Sequence, residues 1–209
     1  ACDGQAEAQK GFIGTQFKTD VLGLEITSAD NFGEEGYIPE MEEGHNSASQ
    51  SAMTSLGEFL KMAAITKLDL DPLELKVGVQ EKPVPGLGSK TWELYVCDAL
   101  ENGAGYTRML ASEDFLRETL HDHYTTVKAR WMGDVHKKCE LSCPDCLQNY
   151  GNRMLHHNLD WRLALDLVEE LLDEKSCLTE RWFPADLSVA KRLAEIASTV
   201  ECELEVKVA

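Results

Sequence analysis

Two registers of hydrophobic spacing organise this chain. In "PLELKVGVQ", Leu73, Leu75, Val77 and Val79 alternate with Glu74, Lys76, Gly78 and Gln80, the period of a half-buried strand. "KPVPGLGSK" supplies turn residues and "TWELYVCDAL" resumes as a strand, so the pair predicts a hairpin. "FKTDVLGLEIT" (17–27) predicts an earlier strand. "ECELEVKV", with Cys202, Leu204, Val206 and Val208 set against charged residues, predicts a closing one. The helical register appears in "SASQSAMTSLGEFLKMAAITKL", where Met53, Leu56, Leu60 and Ala63 share a face and Ser47 is the N-cap. From Thr107 to Trp131 the spacing predicts one long helix burying Met109, Leu110, Leu116, Leu120, Tyr124, Val127 and Trp131. "LDWRLALDLVEELLDE" and "ADLSVAKRLAEIASTV" are two more amphipathic helices. Together these predict an α+β protein, helices packed on a small, largely antiparallel sheet. We treat residues 1–209 as a single domain with a flexible start at 1–16.

Composition narrows the function. At 209 residues the chain is long enough to bury a core. No apolar run reaches membrane-span length, so no membrane association is expected. "ACDGQAEAQK" lacks the basic and apolar regions of a signal peptide, and the absence of a first Met leaves open that the chain is a piece of a longer polypeptide. The formal net charge of −17 repels phosphate, so any nucleic-acid contact must be local or supplied by a partner. Seven cysteines, an odd number without a secretory signal, argue against a disulfide framework and for a metal site in the reducing cytoplasm.

The chemistry concentrates in "CELSCPDCLQNYGNRMLHHNLDWR". Cys139, Cys143 and Cys146 form C-x3-C-x2-C within a segment running from 136 to 162, and Pro144 stiffens the C-x2-C turn. A third thiol beside the pair disfavours a redox C-x-x-C. Three thiolates leave a tetrahedral zinc one ligand short. His136, His156, His157 and the distant cysteines are the candidates, and spacing alone leaves the choice open. No H-x-E precedes "PDC", "LHHNLD" is not H-E-x-x-H, and there is no phosphate-binding loop, so the chain is expected to be no enzyme. Two other readings are a zinc-dependent hydrolase or nuclease built on Asp98, His156 and Asp160, and a pure protein-interaction subunit. Lys128, Arg130, Lys137, Lys138, Arg153 and Arg162 make a basic neighbourhood around the cysteines, either a local phosphate contact or a salt-bridged face. The "ENGAGY" turn could cradle a phosphate but lacks the Walker lysine, so close packing under the zinc module is the safer reading, with Asp98 orienting a neighbour or capping the turn.

"SCPDCLQNYGNRMLHHNLDWRLALDL", with "LYVCDALENGAGYTRML" and "FKTDVLGLEI", resembles the zinc-binding domain at the C-terminus of DEAD/DEAH-box superfamily 2 helicases. That domain is typified by the MrfA-type DNA-repair helicases and is also seen in helicase-linked phage-defence proteins. The resemblance runs from Phe17 to Asp173. The MrfA-type pattern is C-x-C-x3-C-x2-C, and its first cysteine falls here on Lys137. Members similar to this chain carry Y-x-N-R-x-x-H-x-x-L-D-W-R, matched by Tyr150, Asn152, Arg153 and His156. The resemblance therefore implies Cys139, Cys143, Cys146 and His156 as Zn²⁺ ligands, with His136 the runner-up. It further implies a zinc knuckle between two long helices in a non-catalytic, cytoplasmic accessory domain. That domain would brace a helicase motor, upstream in the same chain or on a separate subunit, in DNA repair or antiviral defence. DNA would be contacted locally through Lys137, Lys138 and Arg153. Where the family shows P-G-G-A-G, this chain has Asn102, which tolerates a left-handed backbone. The "ENGAGY" turn and the knuckle are expected to lie against each other, and the helix starting near Leu159 to run antiparallel to the long one.

Overall fold

A computed structural model describes residues 16–25, 46–83, 90–174 and 181–182. The expected flexible start, the helix in "ADLSVAKRLAEIASTV" and the closing strand lie outside the described residues. Three strands form one antiparallel sheet in the order β1 (Val21–Glu25), β3 (Lys90–Asp98), β2 (Leu75–Pro83). β2 and β3 are the hairpin, in register from Leu75 opposite Asp98 to Pro83 opposite Lys90, while β1 pairs Val21 with Cys97 through Glu25 with Glu93. The alternation in β2 holds from Leu75 onward. Leu73, expected inside, falls in the turn before the strand and is exposed, because no sheet partner reaches it.

The central element is α1 (Asn46–Leu68), which packs on β2 and β3 and also on α3 (Glu113–Trp131) and α4 (Trp161–Leu172). Covered from several sides, every residue from Met53 to Lys61 is buried, Ser55 and Glu58 included. A helix so enclosed loses the one-faced pattern of a surface helix. Its closest approach to the sheet is at Gly57, where a Cβ would lie 2.4 Å from Val77 Cγ1 and 2.6 Å from Leu94 Cδ1. Ala raises helix propensity by about 1 kcal/mol over Gly, but overpacking a core of this kind costs about 1–3 kcal/mol. We expect Gly57→Ala to lower the denaturation midpoint; a midpoint at or above the parent's would mean that α1 can shift off the sheet freely.

The predicted long helix is two. α2 (Tyr106–Leu110) and α3 are separated at Ala111–Ser112, where Ser112 is extended (φ −75°, ψ 122°) and Glu113 and Asp114 open the next helix. Acidic residues in a first turn favour a helix start, which is the signal the periodicity overrode. The break also turns Met109 outward, whereas Leu110, Leu120, Tyr124, Val127 and Trp131 are buried as expected. α4 runs antiparallel to α3: Arg117 meets Asp173, Tyr124 Oη donates to Glu169 at 2.8 Å, and Trp161 lies near the Trp131 end through His136. The "ENGAGY" turn and the knuckle do not meet. They sit at opposite ends of α3, whose 19 residues span about 28 Å.

Candidate metal centre

The segment leaving α3 folds back immediately. His136 begins a 3₁₀ turn, His136–Lys138, its N–H bonded to Gly133 O at 3.0 Å, and the N–H of Cys139 returns to His136 O at 2.8 Å. Cys143-Pro-Asp-Cys146 makes a second tight turn, with Cys146 N to Cys143 O at 3.0 Å and Gln148 N to the same oxygen at 3.1 Å. The Cys143 N–H donates to Cys146 Sγ at 3.0 Å. These two turns bring ligand atoms of His136, Cys139, Cys143 and Cys146 to within 4.8 Å of one another. Among the described residues this is the group that can hold a metal ion.

The state of His136 tests that assignment. Its ring lies near-parallel to Trp131 (centroids 6.2 Å) and meets Trp161 edge to face (5.0 Å), and its Nδ1–H donates to Trp131 O at 3.0 Å. That bond fixes the tautomer and leaves an Nε2 lone pair, which is buried and has no hydrogen-bond partner among the described residues. A buried acceptor left alone costs free energy. An imidazole oriented by a backbone carbonyl, with its other nitrogen free beside three thiols, is the usual arrangement of a metal-ligating histidine. Burial also lowers the His136 pKa, keeping the ring neutral. Burial, then the neighbouring thiols, raise Cys139, and burial foremost pushes Cys146 up to about 11. Without a cation Cys139 and Cys146 therefore hold their protons. A divalent cation reverses this by displacing them to give thiolates, and a Cys₃His set suits zinc.

His156, first choice on the resemblance, is not brought to the thiols. Its Nε2 faces two oxygens, Asn149 O at 3.1 Å and Asn152 Oδ1 at 3.0 Å, so that nitrogen is the donor of a local network. His156 instead stabilises the 3₁₀ stretch Tyr150–Asn158. Asn149 and Asn152 cap each other there, Asn149 N to Asn152 Oδ1 at 2.8 Å and Asn152 N to Asn149 Oδ1 at 3.1 Å. Buried Asn152 also donates from Nδ2 to Leu147 O and to Glu58 Oε2, both at 2.8 Å. Glu58 was not singled out from the sequence. Its signal is a carboxylate on the most enclosed stretch of an otherwise apolar helix, which must find donors.

The "LDWR" residues lock the knuckle to α4. Trp161 N donates to Leu141 O at 3.0 Å and its indole N–H to Cys139 O at 3.3 Å. Arg162, buried, donates to Cys139 O at 3.2 Å and to Glu140 O, and pairs with Asp160 at 3.1 Å. The Asp160 N–H reaches Ser55 Oγ at 2.8 Å. Arg162 therefore serves the inside of the module, and Lys128 likewise pairs with buried Glu169 at 3.3 Å. Lys138, Arg130 and Arg153 are exposed.

At the far end of α3, buried Asp98 accepts four backbone N–H bonds: from Ala104 (2.6 Å), Gly105 (2.7 Å), Tyr106 (3.2 Å) and Thr107 (3.0 Å). Burial alone would raise this carboxyl, but the donors of Thr107, Ala104 and Gly105 outweigh it and hold it below the usual range. The N–H groups that could have cradled a phosphate are thus occupied, and Asp98 is a capping residue. Asn102 has φ 68° and Gly103 φ 76°; a Cβ on Gly103 would meet Asp20 Oδ2 at 2.6 Å. Asp98, His156 and Asp160 are engaged in three separate sets of bonds and are not brought together as a metal group.

The fold and this cluster define an α+β domain with a Cys₃His group able to hold a metal ion. In an alignment of 208 residues that covers 97% of its length, the chain is 28% identical to Druantia protein DruE of Escherichia coli (strain UMEA 4076-1), a weak homology. It spans only 10% of that protein's length. No family model and no solved structure matches. No helix among the described residues is long and apolar enough to cross a membrane.

Proposed function

We propose that this chain is a non-catalytic zinc-binding accessory domain of a much larger helicase-type protein acting in antiviral defence, where it braces the motor and meets the DNA strand locally. The observation that carries the reading is the closed donor set. Four protein ligands leave no open position for water or substrate, as in structural rather than catalytic zinc sites. When bound, the ion cross-links the end of α3 to the start of α4 through the knuckle, and Trp161 and Arg162 already hold Cys139 O in place for it. The helicase context is supported by the ordered resemblance of motifs from Phe17 to Asp173, and the large-protein context by a homologue in which this region is a tenth of the chain. The hydrolase reading loses support because Asp98, His156 and Asp160 each have other structural work.

Purified without chelator, the chain should carry one zinc per molecule and show no ATPase, nuclease or deaminase activity. In the complete assembly, Lys137→Glu with Lys138→Glu should reduce helicase or translocase activity while leaving zinc content unchanged. Protein free of zinc would end the metal reading. Full activity of the charge-reversed assembly would transfer this face to protein contacts.

A further inference from the structure

Tyr150 is placed where a tyrosine gains nothing for the fold. Its side chain is 82% exposed, although it follows fully buried Leu147 by three residues and belongs to the stretch tied down by Asn149, Asn152, Glu58 and His156. The mount is rigid and the ring points outward. The Arg153 guanidinium lies 5.0 Å from the ring centroid and its Nη1 donates to Tyr150 Oη at 3.1 Å. Arg153 thus holds the ring in one orientation and covers one face. The cation stays outside the ion pairs that dominate a chain with 37 acidic residues, as do Lys76, Arg130 and Lys138 among the described residues. Lys67, Lys82, Arg108, Arg117, Lys128, Arg162 and Arg181 all pair with carboxylates. Arg153 has no carboxylate partner among the described residues, and Lys138, exposed, directly precedes the ligand Cys139.

A flat open ring, an arginine stacked behind it and a second exposed cation next to a metal ligand match one nucleotide of a single strand, which offers a π-face and an anionic phosphate together. We propose that Tyr150, backed by Arg153, is a stacking platform for a base of single-stranded nucleic acid crossing the metal-centre face. The inference rests on the accessory-domain reading and deepens it by naming the contact. Stacking on an aromatic ring tolerates any base, so the platform holds a moving strand without reading its sequence.

The test uses the zinc-loaded chain and a fluorescein-labelled oligothymidylate, followed by anisotropy at about 20 mM salt, where weak phosphate contacts persist. Tyr150→Ala should weaken binding about tenfold, and Tyr150→Phe, which keeps the ring, less than about twofold. Zinc content should be equal in all three proteins. Lys138→Glu should instead flatten the salt dependence. Tyr150→Ala binding like the parent would overturn the platform while leaving the accessory-domain reading intact. A zinc-loaded parent that binds no oligothymidylate would also overturn it and assign the face to a protein partner. Failure of the accessory reading is seen separately, as absence of zinc.

Discussion

A His136→Ala variant is expected to lose its zinc on dialysis, whereas His156→Ala keeps it. Changing a residue that merely orients a ligand costs metal sites roughly 10–100-fold in affinity, and removing the ligand itself should exceed that. Because the binding energy of a structural zinc is folding energy, the metal-free variant should loosen the segment from His136 to Arg162 first. Its thermal midpoint should fall well below the parent's. His156→Ala removes only the bonds to Asn149 O and Asn152 Oδ1, a loss of about 1–2 kcal/mol with metal stoichiometry intact. Zinc analysis and a melting curve on each variant check both halves. The opposite pattern, metal lost with His156 and kept with His136, would restore the ligand set first drawn from the resemblance. Acid should weaken the site, since protons compete for thiols that burial already pushes upward, Cys146 to about 11.

The contrast between those two histidines marks what was legible in the sequence. Three cysteines at C-x3-C-x2-C announce themselves by spacing, and both turns that seat them are local. The fourth ligand depends on a carbonyl, Trp131 O, and on two indoles, one of them 25 residues away in sequence from His136 at Trp161. No local pattern encodes that enclosure. Both histidines also sit in stretches of tight turns, so both read as plausible ligands until their second nitrogens are placed. The sheet and α1 were legible because alternation and a 3.6-residue period survive without tertiary context. The break at Ser112 was not, because apolar residues on either side keep a helical spacing across it. Glu58 and Ser55 were missed for a related reason. Nothing in α1 itself shows that Asn152 and Asp160 will need partners there.

Asp98→Asn is expected to be the most damaging single change outside the metal cluster. The carboxylate satisfies four N–H groups with two oxygens at a position without solvent access. An amide keeps one oxygen and turns an NH₂ toward donors, leaving one to three N–H groups unsatisfied. Hydrogen bonds to a charged acceptor contribute about 1.5–3 kcal/mol each, so a net loss of about 3 kcal/mol in unfolding free energy is expected at neutral pH. The sign of its pH dependence follows from the lowered pKa. The folded carboxyl releases its proton more readily than the unfolded one, so its contribution is complete above the unfolded value near 3.9 and is lost as pH falls through the folded value. The stability gap between parent and variant should therefore be flat above about pH 5 and shrink below about pH 4. Taking the difference of two proteins cancels the titrations they share, metal release included. Zinc content should not change at neutral pH, because α2 and the whole of α3, itself about 28 Å long, separate this turn from the cluster along the chain. A gap that stays constant into acid would mean that the folded carboxyl titrates as the unfolded one does, and a gap that widens toward acid would mean that Asp98 is neutral in the folded protein; either would overturn the charged cap.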